Sequence, residues 1–495
     1  MADQIIDVVE VAIPGQMGDV TPAAIAARDA AQQAATDAAT QRGLAEGARD
    51  AAEVFAAGAR ELQDTAVDTL ISDGTSASNA AVREVSVGVA DYQSGLLNSS
   101  PRPDRPRVTK NVLVPVLGHG WSGTDVVNFA ISNVSGPMAG SILQFATDPA
   151  VPTGYIEKGS LGIDATGSGF LVWLSLTHPT ETTVRLRAGN SAMTDYFEWT
   201  ITVAGTGIGG RMILTSEEFL PVTLNFASAQ KVGSPNRATI DKLQVVSTCT
   251  TGSNRRTRVG GIQMIDEQQG GVVSFTFDDS WKDHFTVAAP KLEEYGYRGT
   301  FYTIADPVVQ GYSQYMSLSD LHDLQDSGHE IASHASSITA HSTGFDAMTR
   351  SQLVEEFRKI KGWLAENGFN GRDHLAFPMG RNRPQDADIY RQFFSTARAT
   401  TGFQQETVRP YDPMRLRCLY VHQSTPASEV NAAIDLAKEY GSWLILCFHK
   451  LRAAPAADDE YPISDFNSIV DACQSKSMRV ATIGDVVSGQ FRGLA

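Results

Sequence analysis

The chain has 495 residues, 42% of them hydrophobic, so it can bury the cores of several folded units. Its formal net charge of -16 excludes an extended basic surface of the kind that binds nucleic acid or anionic membranes. Residues 1–20 contain acids but neither a basic stretch nor a long apolar run, which predicts no secretory signal and no membrane insertion. We therefore expect synthesis in the cytoplasm. The four cysteines show neither metal-site spacing nor a disulfide framework, and we interpret them as reduced bystanders.

The first long segment, 21–98, is predicted to be a helical stalk. Its first fifty residues are rich in alanine, which favours helix but offers little apolar bulk for packing. Leu44, Ala48, Ala51 and Phe55 step alternately by four and three residues, the spacing of a coiled-coil seam. An isolated exposed helix or a flexible linker is the alternative. Segments of this composition resemble the stalks of bacteriophage tail fibres and tailspikes. The resemblance implies a homotrimer in the virion tail, with residues 1–20 binding other tail proteins.

A linker and a β-rich region are predicted to follow the stalk. Residues 99–107 contain three prolines and three arginines within seven positions, which is typical of a stiff connector. Residues 108–265 show short alternating apolar runs separated by Gly, Pro, Asn and Asp, the pattern of a β-sandwich. Its tryptophans could stack on sugar rings, but such aromatic residues more often pack in the core. We assign no binding site there.

Residues 266–495 alternate strand and helix patterns, which predicts an α/β domain with a parallel sheet or a deformed (β/α) barrel. Buried strands are expected at 272–277, 298–304, 329–334, 374–377 and 442–448, and the clearest helices at 317–327 and 349–367. The longest helix opens with the capping-box pair Thr349 and Gln352. In parallel barrels, reacting groups gather where the strands end.

Asp278 and Asp279 end the first of these strands, and His334 and His449 end two others. Adjacent residues on a strand point to opposite faces, so two neighbouring carboxylates share a site only where the strand has ended. The alternative is an Asp-Asp turn that merely caps a helix. One acid and two imidazoles suffice to bind a catalytic zinc with a position open for water. Asp279, His334 and His341 could supply that set.

Three motifs carry a resemblance of residues 271–490 to polysaccharide deacetylase domains of carbohydrate esterase family four. They are Thr276-Phe277-Asp278-Asp279, the segment Gly328–His334, and the Leu-x-x-His element Leu446–His449. The resemblance implies that Asp278 is the catalytic base, that Asp279 and His334 bind a divalent metal, and that His449 is the general acid. Zinc is the expected cofactor, with cobalt, nickel or manganese as alternatives.

The sequence departs from the family pattern at three places. His334 and His341 are seven residues apart instead of four, which a short insertion within 335–340 would explain; His329 is the alternative third ligand. Phe377-Pro378-Met379-Gly380 replaces a motif that normally contains an arginine, so no arginine there can orient Asp278. The backbone N–H of Met379 would still be placed to stabilise an oxyanion. Ser280 stands where glycine usually follows the acid pair.

Together these features predict a phage tailspike whose C-terminal domain removes acetyl groups from a bacterial surface polysaccharide. Two alternatives stay open. One is a peptidoglycan or chitin-type N-deacetylase carried on a structural stalk. The other is a non-catalytic tail adhesin, which the absent arginine and the stretched histidine spacing favour.

Overall fold

The computed structural model describes residues 105–489, apart from 117–118, 133–135, 139, 148–149, 203–218, 250–254, 268–269 and 401–404. The described residues all belong to one compact unit, Leu96–Ala495. The predicted anchoring segment, the helical stalk and residues 99–104 of the linker lie outside them. In the part of the chain that is described, no helix is both long and apolar enough to cross a membrane.

Residues 108–266 form the β-rich region, which consists of two antiparallel sheets. Its strands are β1 (Val108–Leu113), β2 (Ser122–Thr124), β3 (Val126–Ser132), β4 (Ile142–Thr147), β5 (Thr153–Lys158), β6 (Ser168–Leu176), β7 (Thr182–Gly189), β8 (Tyr196–Thr202), β9 (Leu220–Leu224), β10 (Gln230–Val232), β11 (Lys242–Cys249) and β12 (Arg256–Asp266). One sheet has the order β3-β4-β12-β6-β9, with β1 also paired to β12, and the other has the order β10-β8-β7-β11-β5-β2.

The two sheets share one hydrophobic core. In β7, Val184 and Leu186 are buried, whereas Arg185 between them is half-buried and pairs with Glu198 of β8. Phe170 of β6, in the other sheet, lies in the same buried cluster as Val184 and Leu186. This period of two is the alternation that the sequence shows, so the predicted β-rich middle region is present.

The C-terminal domain is built on a parallel sheet. Its strands are β13 (Val272–Asp278), β14 (Thr300–Ile304), β15 (Glu330–Ala335), β16 (Gly371–Ala376), β17 (Thr396–Arg398), β18 (Leu419–Tyr420), β19 (Trp443–Phe448) and β22 (Arg479–Val480), with the separate pair β20 (Lys450–Arg452) and β21 (Glu460–Pro462). The strand order is β17-β16-β15-β14-β13-β19-β18, and β22 also pairs with β13. Every residue of β13 and of β19 is buried, as the sequence predicts for strands covered on both faces.

The parallel sheet curls, and its two ends approach each other. Leu416, just before β18, forms a parallel bridge with Arg398 of β17. The N–H of Leu416 donates to the carbonyl of Ala397, and the carbonyl of Leu416 accepts from the N–H of Ala399, each at 2.9 Å. The segment around Leu416 therefore forms backbone hydrogen bonds with the edge strand β17, although it is not itself part of a regular strand. This arrangement agrees with the predicted (β/α) barrel.

Helices connect the parallel strands. They are α1 (Ala289–Glu293), α2 (Ala305–Val309), α3 (Leu318–Asp326), α4 (Ile338–Thr343), α5 (Arg350–Glu366), α6 (Ala387–Phe393), α7 (Ala427–Tyr440), α8 (Ile463–Ser475) and α9 (Ile483–Ser488). The predicted capping box of α5 is confirmed, because Thr349 and Gln352 satisfy each other's backbone N–H groups. α5 buries one apolar stripe, which includes Leu353, Phe357 and Ile360.

Candidate active site

Asp278 and Asp279 lie at the C-terminal tip of β13, where the backbone turns sharply. Asp279 has a φ of 76° and Ser280 a φ of 63°, values that non-glycine residues rarely adopt. Ser280 therefore occupies a backbone conformation that suits glycine, the residue expected there from the family pattern. Its hydroxyl accepts the N–H of Ile304 at 2.9 Å, which ties the turn to the end of β14. Two adjacent residues held in this region indicate backbone strain at the site.

Asp279, His334 and His341 meet at this turn. Their ligand atoms all lie within 4.8 Å of one another, as one metal ion requires. The Nε2 atom of His334 is 3.3 Å from Oδ1 of Asp279, and the Nε2 atom of His341 is 3.1 Å from the same oxygen. The structure therefore brings together the three residues that the sequence predicts as ligands.

A short helix accounts for the seven-residue spacing between the histidines. His334 lies on β15, and His341 lies on α4, whose first turn is capped by the Ser337 side chain through the N–H of Ala340. The carboxylate of Asp306 accepts the N–H of Ile338 at 3.0 Å at the same end. The extra residues form a helical turn that returns His341 to the site.

The protonation of His334 fits a metal ligand. Its Nδ1 lies 2.9 Å from the carbonyl oxygen of Ala376, and a carbonyl only accepts, so the proton is assigned to Nδ1. Nε2 then carries a lone pair directed at Asp279. Both His334 Nε2 and Asp279 Oδ1 are buried without a hydrogen-bond partner. A cation between them would satisfy both atoms, and one carboxylate with two imidazoles suits zinc or cobalt.

The surrounding charges keep the Asp279 carboxylate ionised. Burial by itself would raise its pKa, but the neighbouring imidazoles of His334, His341 and His449 hold the pKa of Asp279 well below the ordinary value. For His334, burial by itself would lower the pKa, but the nearby carboxylates of Asp279 and Asp278 raise the pKa above its ordinary value. The site is therefore an anionic position flanked by imidazoles, which is the electrostatic setting that a divalent cation requires.

His329, the alternative third ligand, is not in this cluster. Its Nδ1 accepts the N–H of Gly299 at 2.9 Å, and its Nε2 is 3.0 Å from Oε1 of Glu293. Both ring nitrogens are therefore engaged at the opposite end of β15. His329 ties α1 to the sheet.

Arg398 is the site residue that the sequence analysis missed. It is fully buried at the end of β17, and its Nη2 donates to both carboxylate oxygens of Asp278 at 2.5 Å. Burial alone would raise the pKa of Asp278, but the Arg398 guanidinium holds that pKa below its ordinary value. The prediction that the 377–380 motif offers no arginine is right, yet an arginine from the neighbouring strand pairs with Asp278. A lone arginine between alanines in a buried run, Ala397 to Ala399, is the signal that could have identified it.

Two cysteines interpreted as bystanders lie beside this ion pair. Cys418 Sγ is 3.2 Å from Nη1 of Arg398, and Cys447 Sγ is 3.4 Å from Oδ2 of Asp278. All four cysteines are buried and none forms a disulfide. The bystander interpretation is therefore too weak for Cys418 and Cys447, which pack directly around the carboxylate and its partner.

His449 follows β19, and its Nε2 lies 3.8 Å from Oδ2 of Asp279. Its backbone carbonyl accepts from Nε2 of the buried His284 at 2.6 Å, which fixes the main chain at the end of the strand. Its side chain is 17% exposed, so the imidazole can reach a molecule entering the site. The position of His449 is compatible with its predicted role as general acid, which stays a prediction.

Met379 lies in the turn after β16, with a φ of 55° and an exposed side chain. A Cβ atom placed on Gly344, the residue that ends α4, would lie 3.2 Å from the terminal methyl of Met379. The turn therefore neighbours the helix that carries His341. The role of its N–H toward an oxyanion stays a prediction.

Residues 266–394 match the family described as polysaccharide deacetylase, a range that contains the predicted metal ligands and Asp278 but neither Arg398 nor His449. No curated protein shows significant sequence similarity to the chain.

Solved structures similar to the chain include three from bacteria. A family 4 acetyl xylan esterase from Clostridium thermocellum is 16% identical, with 44% of this chain and 91% of that chain covered and a TM-score of 0.33. A peptidoglycan deacetylase from Bacillus subtilis is 12% identical, with 46% and 95% covered and a TM-score of 0.30. A family 4 carbohydrate esterase from Streptomyces lividans is 16% identical, with 44% and 94% covered and a TM-score of 0.29.

The matched range includes two of the predicted deacetylase motifs and all three side chains of the candidate metal site, Asp279, His334 and His341. Residues 266–394 therefore match a polysaccharide deacetylase domain, and this match indicates a carbohydrate deacetylase, a hydrolase.

Proposed function

We propose that this protein is a metal-dependent deacetylase that removes acetyl groups from a bacterial surface polysaccharide. The observation that carries the proposal is the cluster of Asp279, His334 and His341, with a second carboxylate, Asp278, held ionised beside it. A bound cation such as zinc would polarise the acetyl carbonyl and lower the pKa of a water molecule. Asp279, His334 and His341 would hold that cation.

The protein residues then divide the proton transfers between them. Asp278 accepts a proton from the attacking water as its oxygen bonds to the acetyl carbon. The N–H of Met379 donates a hydrogen bond to the developing oxyanion. His449 donates a proton to the sugar oxygen or nitrogen as its bond to the acetyl carbon breaks, and acetate is released. One water is consumed for each acetyl group removed.

Arg398 and the α4 turn bear on the adhesin alternative. An absent arginine and a stretched histidine spacing were the two features that favoured a non-catalytic protein. Arg398 pairs with Asp278, and α4 brings His341 to the cluster. The arginine-free motif and the long histidine spacing are therefore compatible with a catalytic site. The peptidoglycan or chitin-type alternative is distinguished by which polymer releases acetate.

The wider proposal is that the enzyme is part of a trimeric phage tailspike. Its support is the alanine-rich stretch with coiled-coil spacing that precedes the described residues. Light scattering on the full chain should give three times the mass of one chain. A monomeric mass would contradict the proposal of a trimeric tailspike but would not affect the proposed deacetylase activity.

A pair of neighbouring substitutions tests the catalytic assignment. Asp278→Asn should retain bound zinc and lose turnover of an acetylated substrate, because it removes the proton acceptor alone. Asp279→Asn should lose both, because it removes a ligand. Metal content by atomic spectroscopy and acetate release are measured on the same samples. Turnover retained by both variants would contradict the assignment.

A further inference from the structure

Three of the exposed apolar side chains of the C-terminal domain lie within one short segment, residues 309–318. Among the described residues after Gly271, the exposed large apolar side chains are Val309 (67%), Tyr312 (43%), Leu318 (38%) and Met379 (41%). The first three lie within ten residues: Val309 ends α2, Tyr312 lies in the loop that follows, and Leu318 begins α3. Met379 lies in the turn after β16. Exposed apolar side chains that cluster beside a site commonly mark a binding surface.

A row of aromatic rings connects this segment to Asp279 of the candidate active site. The indole N–H of Trp281 is 3.4 Å from Oδ2 of Asp279. Tyr315 stacks on Trp281, with ring centroids 4.6 Å apart and an interplanar angle of 18°, and Tyr312 follows at 6.5 Å from Tyr315. We call Trp281, Tyr315 and Tyr312 the aromatic row. It begins at a predicted metal ligand and ends at an exposed ring.

Backbone hydrogen bonds hold the row in place. The N–H of Lys282 donates to the carbonyl of Gln314 at 2.9 Å, and the N–H of Met316 donates to the carbonyl of Ser280 at 2.8 Å. The loop before α3 is thus paired with the strained turn that follows Asp279. A preorganised surface loses little conformational entropy when it binds a ligand.

Tyr312 is the ring of the aromatic row that is exposed to solvent. The ring of Trp281 already contacts Tyr315 and, at 4.4 Å from its centroid, the ammonium of Lys450. Tyr312 is 43% exposed, so its ring can accept a ligand. Its backbone is fixed independently of its side chain, because its N–H donates to the carbonyl of Pro307.

The cations next to the row are paired. Lys450 lies 2.8 Å from Asp459, and Lys282 lies 2.5 Å from Asp320. Each ammonium is thus balanced by a carboxylate of the protein. The surface therefore suits an uncharged ring that offers C–H groups to an aromatic face, as a pyranose does.

We propose that Tyr312, with Tyr315 beside it, forms a subsite for an uncharged sugar unit that neighbours the acetylated unit in the polymer. The proposal rests on the proposed function, because it extends the same site along the glycan. It assigns to the loop 309–318 the choice of polymer, while the metal cluster acts on the acetyl group.

Gel retention tests the subsite without turnover. Metal-stripped protein is run through gels that contain partially acetylated xylan or partially N-acetylated chitosan. Wild type should be retarded by at least one polymer, and Tyr312→Ala should lose about tenfold in apparent affinity. Tyr312→Phe should keep most of the affinity, because the ring remains. Val151→Ala, an equally exposed apolar residue of the β-rich region, is the matched control and should behave as wild type.

Kinetics on the metal-loaded enzyme separates a subsite from a structural effect. For Tyr312→Ala, the ratio of kcat/KM for the polymer to kcat/KM for an acetylated monosaccharide should fall about tenfold. An unchanged ratio, or no retention of wild type by either polymer, would overturn the subsite. Retention that depends on Tyr312 without acetate release by the wild type would support the subsite and overturn the proposed function.

Discussion

Arg398 sets the charge of Asp278, the proposed base. The two side chains are almost completely buried, and the guanidinium bonds both carboxylate oxygens. A base must be ionised to accept a proton, and the pair keeps the pKa of Asp278 low against the opposing effect of burial. Arg398 also lies over the ring of Tyr302, which fixes its orientation. It is a positioning residue, because it acts through Asp278.

Replacing Arg398 should shift the acidic limb of the pH profile. Without the guanidinium, burial dominates and the pKa of Asp278 rises, so the ionised fraction at a given pH falls. For Arg398→Lys, the acidic limb of kcat/KM should therefore move to higher pH, and for Arg398→Met it should move further. An acidic limb at the wild-type position in both variants would contradict this role.

The same substitution should lower stability. Because the pKa of Asp278 is depressed in the folded protein, its contribution to stability is present above the unfolded value of about 3.9 and is lost as pH falls through the folded pKa. Arg398→Met leaves a buried charge unpaired, at a cost of about 3–5 kcal/mol in the free energy of unfolding, and added Asp278→Asn should recover part of it. Urea denaturation measures the free energy of unfolding of the single and the double variant. Lys359→Met, which breaks an exposed ion pair with Glu355, is the control and should cost about 1 kcal/mol or less.

The sequence predicts Asp278, Asp279, His334 and His449 as site residues because each lies at or just after the end of a buried strand. The carboxyl ends of parallel strands share one edge of the sheet. Arg398 could not be predicted as a site residue in this way, because β17 is only three residues long and shows no periodic pattern. Its pairing with Asp278 spans 120 residues, so only the strand order could have indicated it.

At the scale of elements, α4 brings His341, the predicted third ligand, to Asp279 and His334. The helix is six residues long, so its stability depends on its first turn. Ser337 and Asp306 accept the N–H groups of Ala340 and Ile338 at this end. His341 is therefore positioned through these polar contacts at the start of α4.

Removal of the cap should weaken metal binding. Ser337→Ala should cost about 0.5–2 kcal/mol in the free energy of unfolding. It should also lower zinc affinity, measured by chelator competition, because α4 frays and His341 moves. Thr349→Ala removes the cap of α5, which carries no ligand, and is the matched control.

The control should lose similar stability and keep its zinc affinity. Equal affinity in Ser337→Ala and Thr349→Ala would show that α4 does not position a ligand.

Predictions of elements succeed where the periodic signal is long. The observed α5, Arg350–Glu366, lies within the predicted 349–367, and the observed α3, Leu318–Asp326, lies within 317–327. The two-residue strands β18 and β22 could not be predicted, because so few residues show no alternation. The insertion within 335–340 was predicted only as an insertion, and its helical form depends on contacts with Asp306.

At the scale of the whole molecule, a buried ion pair joins the β-rich region to the parallel sheet. Arg417 donates to both carboxylate oxygens of Glu406, at 2.8 and 3.0 Å, and to the hydroxyl of Thr223 in β9 at 3.0 Å. Arg417 and Glu406 are each 3% exposed. The contact from Thr223 to Glu406 spans 183 residues, so no local sequence pattern predicts it.

Breaking this pair should destabilise both regions together. Arg417→Met leaves Glu406 buried and unpaired, and should lower the free energy of unfolding by about 3–5 kcal/mol. The double variant with Glu406→Gln should lose less, because no charge is left buried. Lys359→Ala, in an exposed helix pair, is the control with an expected loss of about 0.5 kcal/mol. Urea denaturation is followed by near-UV circular dichroism. An Arg417→Met loss no larger than that of the control would contradict a linking role.

Acetate release tests the central claim most directly. Acetylated polysaccharides from candidate host surfaces are incubated with zinc-loaded wild type, with metal-stripped wild type and with zinc-loaded Asp278→Asn. We expect acetate from the zinc-loaded wild type alone. The account would be contradicted if the zinc-loaded wild type released no acetate from any O-acetylated or N-acetylated glycan, or if Asp278→Asn released it equally fast.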